Sequence, residues 1–318
     1  MTGPMGMASA SDASSMRPVM LGIAGDSAAG KTTLTKGLVE ALGPERMLSI
    51  CVDDYHRYDR EERRVLPFTP LDPACNYVEI MEQHLKLLAL GQGILKPVYN
   101  HRSGTLERPV PVVPRPFVIA EGLLPLSTPL ARACFDATVF LEPADEVRVA
   151  WKLRRDTTRR GYDEDEVRAE LARREPESAR FIRPQRADAD IVVHFEPRRG
   201  NDGPTGVDLD ATMILRPTID HPDLSGILGD DPSAPVRLTL DRDDDGKPVE
   251  ILHIDASAPP AETWKVEKAI WGQLGVAEPL PLALGVIEQG MRSEPLALVQ
   301  LILLFHLVRA QRATTAPS

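Results

Sequence analysis

A short apolar run, Val19 to Ala24, leads straight into Gly25-Asp26-Ser27-Ala28-Ala29-Gly30-Lys31-Thr32, and from Lys31 to Leu42 the apolar residues recur at helical spacing. This is the Gly-x-x-x-x-Gly-Lys-Thr pattern in the setting it needs, with a strand before it and a helix after it. The glycines let the backbone wrap around phosphates with its N–H groups turned inward, and the following helix adds its positive end. Lys31 is expected to reach the β- and γ-phosphates, and the Thr32 hydroxyl to ligate Mg²⁺, with Thr33 next on the same helical turn. A phosphate loop serves kinases, GTPases and motor ATPases alike, so the acceptor side has to be argued separately.

The rest of the first two-thirds alternates strand and helix. Met47 to Val52, Pro116 to Ala120, Ala137 to Leu141 and Ile191 to Phe195 read as strands, whereas Val78 to Leu90 and Ala144 to about Arg159 read as helices. Such alternation predicts an α/β fold, a mostly parallel sheet flanked by helices. Pro197 to Gly206 reads as a linker. Beyond it, Val236 to Leu240 and Val249 to Ile254 predict a hairpin, followed by helices near Trp264 to Leu274 and Leu296 to Arg309. The expected division is a leader over 1–16, a kinase-like core over 17–197, and an α+β extension over 198–318 packed on the core. Asp241 to Gly246 matches the opening of a calcium loop, but position twelve would be Leu252 instead of Glu, so a turn rich in Asp is the reading.

A formal net charge of -10 argues against a nucleic-acid partner. Three cysteines, Cys51, Cys75 and Cys134, with no Cys-x-x-Cys, suit a reducing compartment, and a cytoplasmic location is expected. Met1 to Ser15 lacks a basic start and an apolar run, and is read as a disordered leader or as sequence upstream of a true start at Met7 or Met16. The apolar run Leu296 to Val308, interrupted by Gln300 and His306, is read as a buried or interface helix too short to span a bilayer. No membrane partner is expected.

Asp53-Asp54-Tyr55-His56, with Asp59-Arg60, begins where the second strand should end. Ligands of open α/β sheets bind at the carboxyl ends of the strands. A carboxylate there faces the γ-phosphate and can accept a proton from an attacking hydroxyl. The alternative is a turn capped by Asp53-Asp54 beside a surface histidine. Glu121 ends the Pro116–Ala120 strand, where a second carboxylate would complete a Mg²⁺ site. No guanine-binding Asn-Lys-x-Asp appears in the later strands.

Taken in order, these stretches resemble the phosphoribulokinase/uridine kinase family. The resemblance rests on Gly25 to Thr32, on Asp53 to His56 with Asp59-Arg60, and on Leu71-Asp72-Pro73-Ala74-Cys75-Asn76-Tyr77. It continues through Lys96-Pro97-Val98-Tyr99-Asn100-His101, Ala120-Glu121-Gly122, Trp151 to Asp156 with Arg160-Gly161, and Pro184-Gln185 before Ala189-Asp190. It covers about residues 18–197 well and the tail loosely. The Asp-x-x-His form with the Lys-Pro-x-Tyr-Asn-His stretch is similar to the family's phosphoribulokinase branch.

That resemblance implies ATP-dependent phosphorylation of the C1 hydroxyl of ribulose 5-phosphate, a step of the Calvin cycle, with ATP and Mg²⁺ required. It implies Asp53 as the base and a metal-side carboxylate, and Thr32 and Glu121 as metal ligands. His56, Arg60, Tyr99, His101 and Asp156 fall at the substrate, and for His101 an ordinary surface or core position is the alternative. A phosphate-bearing acceptor suits the fork of a guanidinium such as Arg60. Lys152, Arg155 and Arg160 fall on a lid near 151–186 that closes over ATP, where their charges stabilise the transferred group. A homodimer is expected by analogy alone.

The chain departs from the light-regulated plant pattern, which pairs a cysteine in the phosphate loop with one before the Asp-Asp. Cys51 stands at the second position but Ala29 at the first, so that pair cannot form. The same-fold rival is a kinase for a nucleoside or another sugar phosphate. A nucleotide-binding regulatory protein without catalysis is the rival of another class, and the intact Lys31, Thr32, Asp53 and Glu121 speak against it.

Overall fold

The structure, a computed structural model, describes residues 17–198, 208–287 and 291–315. The expected leader and most of the Pro197–Gly206 linker lie outside the described residues.

Strand β1 (Val19–Gly25) is buried along its whole length, and α1 (Lys31–Leu42) follows the phosphate loop directly. Next come β2 (Met47–Cys51), α2 (Val78–Ala89), β3 (Ile94–Asn100) and β4 (Thr105–Val112). The chain continues through β5 (Phe117–Gly122), the short α3 (Pro129–Arg132), β6 (Ala137–Leu141), α4 (Asp145–Arg160), α5 (Glu164–Glu177) and β7 (Ile191–Pro197). The last elements are β8 (Leu209–Leu215), β9 (Val236–Arg242), β10 (Pro248–Ile254), α6 (Pro260–Leu274) and α7 (Glu294–Thr315). They build an eight-stranded sheet in the order β2-β5-β1-β6-β7-β8-β10-β9, with β3 and β4 as a separate two-stranded sheet.

From β2 to β7 the neighbours pair in parallel; β8, β10 and β9 pair antiparallel and extend the same sheet. The mostly parallel α/β fold read from the alternation is therefore the one observed. Val19, Leu21 and Ile23 face one core cluster with α1, α6 and α7, while Met20 and Ala24 face two others on the opposite side. Burial on both faces explains why β1 reads as a continuous apolar run.

The last helix is longer than its apolar run. By length and composition alone Glu294–Thr314 suffices to cross a membrane, which corrects the expectation that it is too short. Its residues from Ala297 to Leu304 are completely buried, wedged between α1, α6 and the sheet, as expected of a core helix. The Asp-rich turn between β9 and β10 closes on itself: the Asp243 carboxylate accepts the N–H groups of Asp245 and Lys247 and pairs with Arg216 at 3.0 Å.

Candidate active site

Gly30 begins α1 at φ 95°, a left-handed conformation that glycine adopts freely. A Cβ there would stand 3.2 Å from the Trp151 ring. Ala28 also has positive φ, 67°. The loop is thus held in a sparsely populated shape, of the kind that concentrates at ligand clamps. Lys31, only 8% exposed, donates from Nζ to the carbonyls of Gly25 (2.8 Å) and Asp26 (2.9 Å). Thr32 Oγ1 donates to Glu121 Oε1 at 3.4 Å, so helix α1 and strand β5 bring two oxygen ligands together. Burial raises the Glu121 carboxyl above its ordinary range, opposed by Lys31 and reinforced by Asp53.

After β2 the chain turns through a 3₁₀ segment, Val52–Tyr55, which points the two adjacent carboxylates in different directions. Asp53 lines the cavity, and its Oδ1 accepts the Leu123 N–H at 2.8 Å. Asp54 turns to the β3–β4 sheet, accepting from the Tyr99 N–H at 3.0 Å and from Lys96 Nζ. Asp54 therefore anchors the hairpin that carries Tyr99 and His101, which explains why the Lys-Pro-Val-Tyr stretch accompanies the Asp-Asp pair.

His56 is buried, and its Nδ1 lies 2.7 Å from Asn76 Oδ1. The Asn76 amide nitrogen already donates to the carbonyls of Pro70 (3.0 Å) and Asp72 (2.9 Å), so Oδ1 is the acceptor and His56 Nδ1 carries the proton. Burial lowers the His56 pKa to about 4 against the pull of Asp53, leaving Nε2 as a bare acceptor at neutral pH. His56, Tyr99 and His101 stack edge to face, with neighbouring centroids 4.8 and 4.9 Å apart. Arg60 Nη2 donates to the His101 carbonyl at 2.5 Å.

Lys31, Thr32, Glu121, Asp53, His56, Arg60, Tyr99 and His101 line one cavity of about 1480 Å³, larger than a single small-ligand site and roomy enough for two substrates. Of the residues expected from the sequence, all but Gly25, Asp26, Lys152 and Asp156 are on its wall. Gly25 and Asp26 act from behind, through their carbonyls to Lys31. Lys152, expected among the lid cations, and Asp156, expected at the substrate, lie behind the wall. The two are buried and pair with each other at 2.5 Å, and Asp156 also holds Arg155 (2.8 Å) and Arg160 (3.4 Å). Burial alone would raise the Asp156 carboxyl, but the hydrogen bonds from Arg155 and Lys152 hold it below its usual range. Arg155, so braced, reaches Ser27 Oγ at 3.2 Å.

The α4–α5 segment is tied to the core at its far end. Ser178 Oγ donates to Asp26 Oδ2 at 2.6 Å, and Glu177 accepts the Thr69 N–H at 2.9 Å. Sequence reasoning missed Arg63 and Arg174, which also line the cavity. Arg63 donates to the Tyr99 hydroxyl and lies over that ring at 4.7 Å. Its Nη1, like Arg174 Nε, is buried without a hydrogen-bond partner. Only the spacing of Arg63, three residues after Arg60, hinted at its place. Cys51 is a free thiol pushed well above its ordinary range by burial and by Asp53. Among the described residues no group of three or more His, Cys, Asp or Glu forms a metal cluster.

The model of the Phosphoribulokinase / Uridine kinase family matches residues 20–200, more than half of the chain. The chain belongs to that family. It is 40% identical over 183 residues to a phosphoribulokinase from Synechocystis sp., covering 58% of this chain and 55% of that protein. It is 30% identical over 205 residues to a uridine kinase from Alkaliphilus metalliredigens, covering 62% of this chain and 95% of that protein. The chain thus spans about half the length of the curated phosphoribulokinases it matches. A solved phosphoribulokinase from Rhodobacter spheroides superposes with a TM-score of 0.57 at 15% identity, covering 81% of this chain and 97% of that one, a likeness of fold.

Proposed function

We propose that the protein transfers the γ-phosphoryl group of ATP to the C1 hydroxyl of ribulose 5-phosphate. The observation that carries this reading is the sharing of one cavity by the phosphate loop and by Asp53, His56 and Tyr99. The stronger match to a phosphoribulokinase than to a uridine kinase supports a sugar phosphate as the acceptor.

In this reading the phosphates of ATP take the loop N–H groups, and Lys31 turns from its two carbonyls to the β- and γ-oxygens. Thr32 and Glu121 are hard oxygen donors that suit Mg²⁺ with its remaining positions left to phosphate and water. Mg²⁺ held there supplies neutralising charge at the phosphates. Asp53, with Oδ1 fixed by Leu123, accepts the hydroxyl proton through Oδ2 as the oxygen attacks the γ-phosphorus. His56, neutral and with Nε2 bare, accepts a hydrogen bond from a second sugar hydroxyl. The phosphate of the acceptor falls to Arg60 and to Arg63, whose Nη1 is buried without a partner. Arg155 and Arg160, aligned by Asp156, stabilise charge on the group in transit.

An ADP-release assay over a panel of acceptors tests this. Turnover is expected with ribulose 5-phosphate; turnover with uridine and none with ribulose 5-phosphate would assign the chain to the other acceptor class.

A further inference from the structure

Pro184-Gln185, one of the stretches on which the family resemblance rests, does not reach the cavity wall. It follows the α4–α5 segment, where Ser178–Ile182 winds as a single π-helical turn and Arg183–Asp188 continues as 3₁₀ helix. Wide turns of this kind are rare and concentrate at functional sites. Gln185 is only 3% exposed, so the polar atoms of its amide must find partners inside the protein.

Those partners lie on both sides of the base. Gln185 Oε1 accepts the Leu126 N–H at 2.9 Å, and Nε2 donates to the carbonyls of Leu123 (2.7 Å) and Phe181 (3.0 Å). An N–H can only donate and a carbonyl only accept, so the orientation of the amide is fixed. One side chain thus brackets the turn that follows β5 and ties it to the end of the α4–α5 segment. Leu123 is also the residue whose N–H donates to Asp53 Oδ1 at 2.8 Å. Its two main-chain polar groups therefore join Gln185 on one side to Asp53 on the other. The approach is close: a Cβ on the preceding Gly122 would stand 2.7 Å from Asp53 Oδ1 and 2.5 Å from Val52 Cγ2. The turn and the Asp53 carboxylate pack with no room for a side chain between them.

We propose that Gln185 is a positioning residue for phosphoryl transfer: it fixes Leu123, so that Asp53 keeps Oδ1 on the turn and Oδ2 toward the acceptor hydroxyl. The proposal rests on the reading of Asp53 as the base. A shift of ~1 Å caused by a residue that never touches substrate can cost about 10²-fold in rate. An amide that merely satisfied a core turn would act on stability, with no dependence on what stands at residue 53.

A double-mutant cycle between Gln185→Met and Asp53→Asn in the full chain separates these, with kcat and both KM values read by ADP release. Gln185→Met keeps the reach of the side chain and removes its amide. It is expected to lower kcat at least about tenfold, with KM for ATP and for the acceptor within about twofold of wild type. In the Asp53→Asn background the same substitution is expected to cost less than about twofold, because the group it positions no longer takes a proton. An unchanged kcat, an equal fall in both backgrounds, or a raised KM with kcat preserved would overturn the positioning role and leave the base standing. Where Gln185→Met does not fold, Gln185→Asn, which keeps an amide but stops one methylene short, enters the same cycle with the same expectations. Failure of the proposed function shows separately, in the wild-type protein, as turnover with an acceptor other than ribulose 5-phosphate, and the cycle is then run with that acceptor. An Asp53→Asn variant with wild-type kcat would remove the base and this proposal with it.

Discussion

Thr32 Oγ1 and Glu121 Oε1 meet at 3.4 Å, which joins the start of α1 to the end of β5. Burial raises the Glu121 carboxyl, and a cation bound there would hold it ionised. Glu121→Gln should therefore raise the Mg²⁺ concentration for half-maximal turnover by about tenfold or more, on the scale of losing a metal-supporting group. An unchanged Mg²⁺ dependence would take Glu121 out of the metal site.

Lys152 and Asp156 form a buried pair, and removing one charge from such a pair leaves the other stranded at about 3–5 kcal/mol. Asp156→Ala should destabilise the protein on that scale in chemical denaturation. Lys152→Met combined with Asp156→Ala should recover most of the loss, because the charges left without Asp156, on Arg155 and Arg160, are partly exposed. A double variant as unstable as the single one would show that Asp156 acts chiefly through Arg155 and Arg160 instead.

Gly37 lies beneath Gln300: a Cβ at Gly37 would fall 2.1 Å from Gln300 Nε2. Gly37→Ala gains ~1 kcal/mol of helix propensity, yet forcing extra volume into a packed contact costs ~1–3 kcal/mol, so net destabilisation is expected. Adding Gln300→Ala removes the clash, and the double variant should be at least ~1 kcal/mol more stable than the sum of the singles. Strict additivity would mean that α7 does not rest on α1 through this residue.

His221 and His306 share a hydrogen bond, Nδ1 to Nε2 at 3.1 Å, and His221 Nε2 donates to the Arg216 carbonyl at 2.8 Å. His306 must then donate through Nε2, and both rings are neutral. Burial, with His221 and Arg309 nearby, pushes His306 down to about 3. The unfolded chain binds a proton near pH 6.5 that the folded one refuses. This contribution to stability is complete above pH 6.5 and is lost as pH falls toward 3. His306→Gln keeps a neutral donor and should flatten the decline between pH 6 and 4 by about one proton. Equal slopes for both proteins would contradict this.

Much of the site was legible because its residues follow their strands at short range. The loop from Gly25 to Thr32, Asp53 after β2 and Glu121 at the end of β5 each declare themselves by where an apolar run stops. What stayed hidden depends on partners distant in sequence. That Asp54 faces Lys96 while Asp53 faces the cavity is set by packing of the β3–β4 sheet, which no local pattern shows. The neutrality of His56 follows from its burial, and the choice of Nδ1 as the protonated nitrogen from Asn76, 20 residues away, whose amide is orientated by two carbonyls. Lys152 looked like one more lid cation, because its burial against Asp156 depends on α5 closing over it. The strands β9 and β10 read as a hairpin in an extension, β8 is not read as a strand at all, and the addition of all three to the main sheet is a matter of long-range pairing.

The central claim, that Asp53 takes the proton from a sugar-phosphate hydroxyl beside a phosphate loop that binds ATP independently, is tested most directly by Asp53→Asn. Its kcat with ribulose 5-phosphate is predicted to fall by at least ~10², the scale of general-base catalysis, while MgATP affinity by titration stays nearly unchanged. A variant that retains wild-type kcat would contradict the account.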